Sequence, residues 1–135
     1  MKTFCLALYV FAISICSLYG GDAQFFICRK CNETTVKDTQ PNISFCRSGG
    51  NHHWFSLGPI GEQIYVCRKC RLLVATASHP KINFCMATGN HNWFLLGKKG
   101  KDHYCCKKCQ IEGRFSSKPA INFCFAGGNH DWIKY

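Results

Sequence analysis

Apolar residues in this chain fall in short clusters between polar and glycine-rich stretches. Phe25-Phe26-Ile27-Cys28 and Gln63-Ile64-Tyr65-Val66-Cys67 are brief runs of β-branched and aromatic residues, the composition of strands. In Ile43-Ser44-Phe45-Cys46, alternation puts Ile43 and Phe45 on one face and Ser44 and Cys46 on the other. That predicts an apolar layer against the first pair and a cysteine turned away from it. Beyond residue 24 no stretch keeps a helical period. Leu72 to Ala77 fits one helical turn, but its equivalents Glu33 to Asp38 and Ile111 to Ser116 do not. From Phe55 to Tyr65, strand-type residues flank a turn bounded by Gly58 and Gly61, and Phe94 to Gly100 repeats the design. Both stretches predict β-hairpins. The pattern is that of a small all-β, partly irregular fold.

The clusters keep one period. Cys28, Cys31, Cys46, His52 and Trp54 return as Cys67, Cys70, Cys85, His91 and Trp93, and again as Cys106, Cys109, Cys124, His130 and Trp132, 39 residues apart each time. An aromatic precedes the first cysteine (Phe26, Tyr65, Tyr104), and Pro41, Pro80 and Pro119 precede the third. Three tandem repeats follow, at 24–61, 62–100 and 101–135, joined by the predicted hairpins. A unit of that size buries too little apolar surface to fold alone and needs staples or neighbours. Asn51, Asn90 and Asn129 each follow Gly, which predicts a tight turn with positive φ there.

Residues 1–23 have the form of a secretory signal: Lys2, an apolar run from Leu6 to Leu18, and small residues at Gly21 and Ala23. Cleavage there leaves a chain from Gln24; cleavage after Gly20 fits as well. Cys5 and Cys16 lie in this segment. What remains holds sixteen basic and six acidic residues, a net charge of +10. Such a balance points to an anionic partner, a glycan or a surface, and secretion argues against nucleic acid. Lys98, Lys99 and Lys101, at the tip of the second predicted hairpin, form a basic footprint with Arg68, Lys69, Lys107 and Lys108. The sequons Asn32-Glu33-Thr34 and Asn42-Ile43-Ser44 make Asn32 and Asn42 candidate glycosylation sites.

Three thiols and an imidazole per repeat form the donor set of a closed, tetrahedral Zn2+ site. Cys-x2-Cys turns two sulfurs toward one centre, and its spacing resembles zinc-ribbon and zinc-knuckle modules. Two groupings of ligands fit. One keeps each set within its repeat. The other sets His52 opposite Cys67 and His91 opposite Cys106 across the predicted hairpins, with Cβ atoms about 5 Å apart. The second grouping needs a ring with pseudo-three-fold symmetry to unite Cys28, Cys31, Cys124 and His130. Disulfides compete with zinc, because secreted cysteine-rich chains are normally oxidised and Cys105 makes the count even. They would make the chain a disulfide-stapled cationic defence protein, but would leave three equivalent histidines without a role. Cys105 aligns with Ile27 and Val66 and is expected as a small buried residue, or alternatively as an intermolecular thiol. The tryptophans are expected to cover the metal sites. No nucleophile–base pair, carboxylate pair or phosphate-binding glycine loop appears, so no enzyme is predicted.

Overall fold

The computed structural model describes residues 23–82 and 84–135. The signal segment thus lies outside the described residues, save Ala23. The fold is all β, with seven strands and no helix among the described residues: β1 (Gln24–Cys28), β2 (Thr34–Lys37), β3 (Trp54–Cys67), β4 (Leu73–Thr76), β5 (Trp93–Cys106), β6 (Glu112–Phe115) and β7 (Trp132–Lys134).

Each repeat is a three-stranded antiparallel sheet. The strand ending in the first cysteine is central, a short strand lies on one side and the tryptophan strand on the other. The register is the same three times: Cys28 pairs with Trp54, Cys67 with Trp93 and Cys106 with Trp132. Phe26, Tyr65 and Tyr104 pair with Thr35, Val74 and Gly113 of the short strands. The segment from Leu72 to Ala77 therefore holds a strand and no helical turn. Its β-branched residues pair with β3, and that tertiary contact overrides local propensity.

The predicted hairpins do not form. β3 and β5 are single strands of 14 residues that run from one repeat into the next. The first half of β3 closes repeat one against β1, and its second half is the centre of repeat two. Gly58 serves a bulge, not a turn: the register slips at Leu57, and Gly58 takes φ +126°. Leu57 and its equivalent Leu96 are thereby driven into the core, each almost wholly buried. Gly61 lies against the backbone of Ala77, and Gly100 against that of Ser116. Backbone hydrogen bonds tie the repeats further: Ala77 N donates to Pro59 O at 3.0 Å and Lys81 N to Leu57 O at 2.9 Å. Ser116 N to Lys98 O and Ala120 N to Leu96 O repeat them.

Alternation along the central strand divides the core. Phe26 and Cys28 pack with Cys46 and Trp54 of their own repeat, whereas Phe25 and Ile27, with Leu57, pack with Tyr65, Val74 and Trp93 of the next. Tyr65 and Cys67 against Ile64 and Val66 repeat the division. In repeat three the corresponding inter-repeat positions are His103 and Cys105. His103 is half-buried, 3.2 Å from the Glu112 carboxylate and beside the Tyr135 ring. A polar residue thus occupies the outward position where no further repeat packs among the described residues. Cys105 is fully buried, as its alignment with Ile27 and Val66 requires.

Arginines clamp the repeat junctions. The Arg29 guanidinium lies 4.3 Å from the Phe55 ring and 4.8 Å from the Phe84 ring of the next repeat; Arg68 lies 4.7 Å from both Phe94 and Phe123. Two such contacts stabilise by about 1–2 kcal/mol together. Replacing Arg68 with Ala is expected to lower stability by that amount in urea titrations, and Lys to restore part of it.

Two local expectations fail. Ile43 and Phe45 face solvent while Cys46 is buried. Their segment makes only an isolated bridge, Phe45 with Asn51, and the metal cluster claims the cysteine face, which leaves the apolar face outward. Positive φ falls on Gly49 and Gly50, Gly89, and Gly127 and Gly128, not on the asparagines that follow. Glycine takes that conformation without a Cβ penalty, so the turn closes one residue earlier.

Candidate metal centres

The ligands group within repeats. Cys28, Cys31, Cys46 and His52 form one cluster, Cys67, Cys70, Cys85 and His91 a second, and Cys106, Cys109, Cys124 and His130 a third; in each, the donor atoms lie within 4.8 Å of one another. The grouping across junctions and the closed ring are thereby overturned. Without a hairpin at Gly58–Gly61, His52 never comes opposite Cys67; the Cys67 partner is Trp93.

Three local structures place the four donors. The first cysteine ends a central strand, and the second follows a tight knuckle: Asn32 N donates to Cys28 O, Arg71 N to Cys67 O and Gln110 N to Cys106 O, each at 2.9 Å. Asn32, Arg71 and Gln110 close the knuckles with φ near +65° (62°, 66° and 65°). The third cysteine opens a glycine turn in which Cys46 N donates to Gly50 O, Cys85 N to Gly89 O and Cys124 N to Gly128 O. The histidine follows that turn and enters the tryptophan strand.

The second basic residue of each knuckle bridges to the glycine turn. Lys30 Nζ donates to Gly49 O and Asn51 O, Lys69 Nζ to Thr88 O, and Lys108 Nζ to Gly127 O and Asn129 O. These lysines pin the two halves of each cluster together. The sequence presents them only as part of a basic pair. Their repetition beside Cys-x2-Cys is the available signal.

Each imidazole points Nδ1 at the second cysteine: His52 Nδ1 is 3.6 Å from Cys31 Sγ, His91 Nδ1 3.6 Å from Cys70 Sγ and His130 Nδ1 3.5 Å from Cys109 Sγ. Cys67 and Cys85 stand 3.9 Å apart at sulfur, as do Cys106 and Cys124. The nine cluster cysteines are free thiols. A disulfide needs sulfurs about 2.05 Å apart, so these contacts are not bridges. The tryptophans stack on the histidines, with ring centroids 4.6, 4.6 and 4.7 Å apart. Each buried indole donates to a backbone carbonyl: Trp54 to Asn42 O, Trp93 to Lys81 O and Trp132 to Ala120 O. The indoles are lids on the clusters, not exposed platforms.

Charge is distributed unevenly among the sulfurs. Burial opposes ionisation of Cys28, yet hydrogen bonds from the His53 amide and the knuckle amides draw its thiol down to about 6. Cys67 and Cys106 are lowered in the same way. Burial, reinforced by the neighbouring sulfurs, pushes Cys31 up to about 11 and Cys70 and Cys109 to about 12. In each cluster the first thiol is thus readied as thiolate, and the second ionises only if a cation sits beside it.

Burial, then Lys69 and Lys108 respectively, holds the His91 and His130 imidazoles below the ordinary value of 6.5. A histidine held neutral in the fold binds its proton more readily when unfolded. Its contribution to stability is complete above about 6.5 and is lost as pH falls through the lower folded value. Stability and metal retention are therefore expected to decline together below pH of about 6.5, as read by parallel thermal melts and metal release. Unchanged melts down to a pH of about 5 would sink that expectation.

The basic footprint is not a tip. Lys98, Lys99 and Lys101 lie inside β5, and Lys98 Nζ is 3.0 Å from the Glu62 carboxylate. Arg68 is held between two phenylalanines, and Lys69 and Lys108 are engaged with carbonyls. Lys101 and Lys107 stand exposed. Asn42 is exposed; Asn32 is partly buried within its knuckle.

The chain is thus a cysteine-rich protein of three repeats, each carrying a Cys3His cluster able to hold a metal ion. No protein-family model, no curated protein and no solved structure matches it.

Proposed function

We propose that this is a secreted, basic, zinc-stapled repeat protein that acts as a binding or effector module toward an anionic extracellular surface or glycan. The observation that carries the zinc reading is the threefold recurrence of one donor geometry. Zn–S bonds of about 2.3 Å and Zn–N bonds of about 2.0–2.1 Å require tetrahedral edges of about 3.8 Å between sulfurs and about 3.6 Å between sulfur and nitrogen. One sulfur pair in each of clusters two and three stands at 3.9 Å, the imidazole Nδ1 of all three lies 3.5–3.6 Å from the second cysteine, and all donors of a cluster lie within 4.8 Å of one another. In this reading Cys28, Cys31, Cys46 and His52 and their two counterpart sets each hold one Zn2+. Four protein donors leave no position for water or substrate, which supports a structural role and no enzymatic one. The net charge of +10 supports the anionic partner.

The native mass of the secreted protein tests the first part. Three zincs per chain, with nine cluster thiols open to alkylation after denaturation in chelator, is the expected result. A metal-free chain with those cysteines protected from alkylation would overturn it. Heparin–agarose tests the second part. Lys101→Glu together with Lys107→Glu is expected to lower the salt needed for elution, and elution unchanged by this reversal would remove that footprint.

A further inference from the structure

The metal sites use only the cysteine of the Ile-x-Phe-Cys segment that recurs in every repeat. Its two large apolar side chains face solvent each time: Ile43 and Phe45 are 62% and 79% exposed, Ile82 and Phe84 57% and 44%, and Ile121 and Phe123 45% each. Single exposed apolar residues are ordinary, but here the same pair is exposed at the same place in three repeats joined through shared strands. We propose that these segments are a docking surface for a phospholipid bilayer carrying anionic headgroups, the isoleucines and phenylalanines entering its interfacial layer. This docking surface rests on the anionic-surface reading and specifies which surface is bound.

Charge complementarity supports this occupant. Residues 41–47, 80–86 and 119–125 contain no acidic side chain, while Arg47, Lys81 and Lys118 stand in or beside them, all exposed. Arg29, Arg68 and Arg71 lie against Phe84, Phe123 and Phe125 at 4.8, 4.7 and 4.7 Å. Apolar side chains ringed by cations are what an anionic bilayer interface binds. A sugar or a base is a poorer fit. Ile82, Met86 and Ile121 have no π face, and a guanidinium already lies over the Phe84 and Phe123 rings. A glycan on Asn42 would cover Ile43, so the footprint falls on repeats two and three.

The secreted, metal-loaded protein is sedimented with phosphatidylcholine vesicles containing about one-third phosphatidylserine, alongside heparin–agarose retention. It is expected to sediment with these vesicles, not with pure phosphatidylcholine, and to stay bound in about 0.5 M NaCl, where surface charge is largely screened. Ile82→Ser with Ile121→Ser is expected to weaken vesicle binding at least about tenfold, with heparin retention unchanged. Both positions are exposed, and an unaltered metal count shows that the variant folds. Vesicle binding equal in parent and variant, or abolished by salt, overturns the docking surface but leaves the anionic-surface reading standing. Heparin retention without vesicle binding has the same consequence. Retention by neither overturns both.

Discussion

Stripping the metal with a strong chelator at neutral pH is expected to unfold all three repeats in one cooperative transition. Structural zinc contributes roughly 10–16 kcal/mol of apparent binding free energy in small peptides, whereas a whole domain of this size is stable by only about 5–15 kcal/mol. The clusters also occupy the core: Cys28, Cys46, Cys67, Cys85 and Cys106 are each fully buried. Without a cation, each site retains one favoured thiolate beside a second thiol, Cys31, Cys70 or Cys109, pushed toward the neutral form. Cooperativity follows from topology. β3 and β5 each belong to two repeats, so no repeat can melt without fraying its neighbour. The same reasoning ranks the sites. Cys85→Ser breaks the middle cluster, whose repeat shares a strand with both neighbours, and is expected to destabilise more than Cys46→Ser or Cys124→Ser. Circular dichroism melts paired with metal counts read the result. Three separable transitions, or equal effects of the three serine variants, would show independent units.

The second large effect is expected from Gly61→Ala or Gly100→Ala. A Cβ on Gly61 would stand 2.3 Å from both N and Cα of Ala77, and one on Gly100 2.3 Å from the same atoms of Ser116. These are backbone atoms, held by the hydrogen bonds from Ala77 N to Pro59 O and from Ser116 N to Lys98 O. No rotamer change relieves the contact, so the strand or its neighbour must move. The cost is expected at the upper end of overpacking penalties, about 3 kcal/mol. Gly49→Ala separates clash from strain. Gly49 has φ +94° with nothing within 4 Å, so only the left-handed backbone penalty of about 1–2 kcal/mol applies. Denaturant midpoints of the three variants check the order. A Gly61→Ala protein as stable as Gly49→Ala would mean that the two backbones have room to part.

The donors are legible in the sequence because metal chemistry is specific about residue type and number. Three thiols and an imidazole at one spacing, repeated without insertion, suit a metal ion far better than any pairing of cysteines, and each of the twelve residues so marked sits in a cluster. The buried tryptophans and the buried position of Cys105 follow from the same alignment and from strand alternation. Junction geometry is not legible, because Gly58 and Gly61 carry the signature of a turn. One is a bulge and the other makes room for a neighbouring backbone, and local sequence does not distinguish these uses of glycine. The short strands β2, β4 and β6 escape a local reading because they are four residues long and acquire their conformation by pairing. The outward face of Ile43 and Phe45 is inverted relative to expectation for a related reason: alternation says which residues share a face, not which face meets the core.

Composition and spacing by themselves determined the repeat, its period, its β character and its ligand set, since these depend on residue identity along the chain. Which four ligands meet, which imidazole nitrogen faces the sulfurs and which apolar residues remain outside were decided in three dimensions. Each depends on long strands shared between repeats, and on contacts between residues 18 to 21 positions apart that no local pattern encodes.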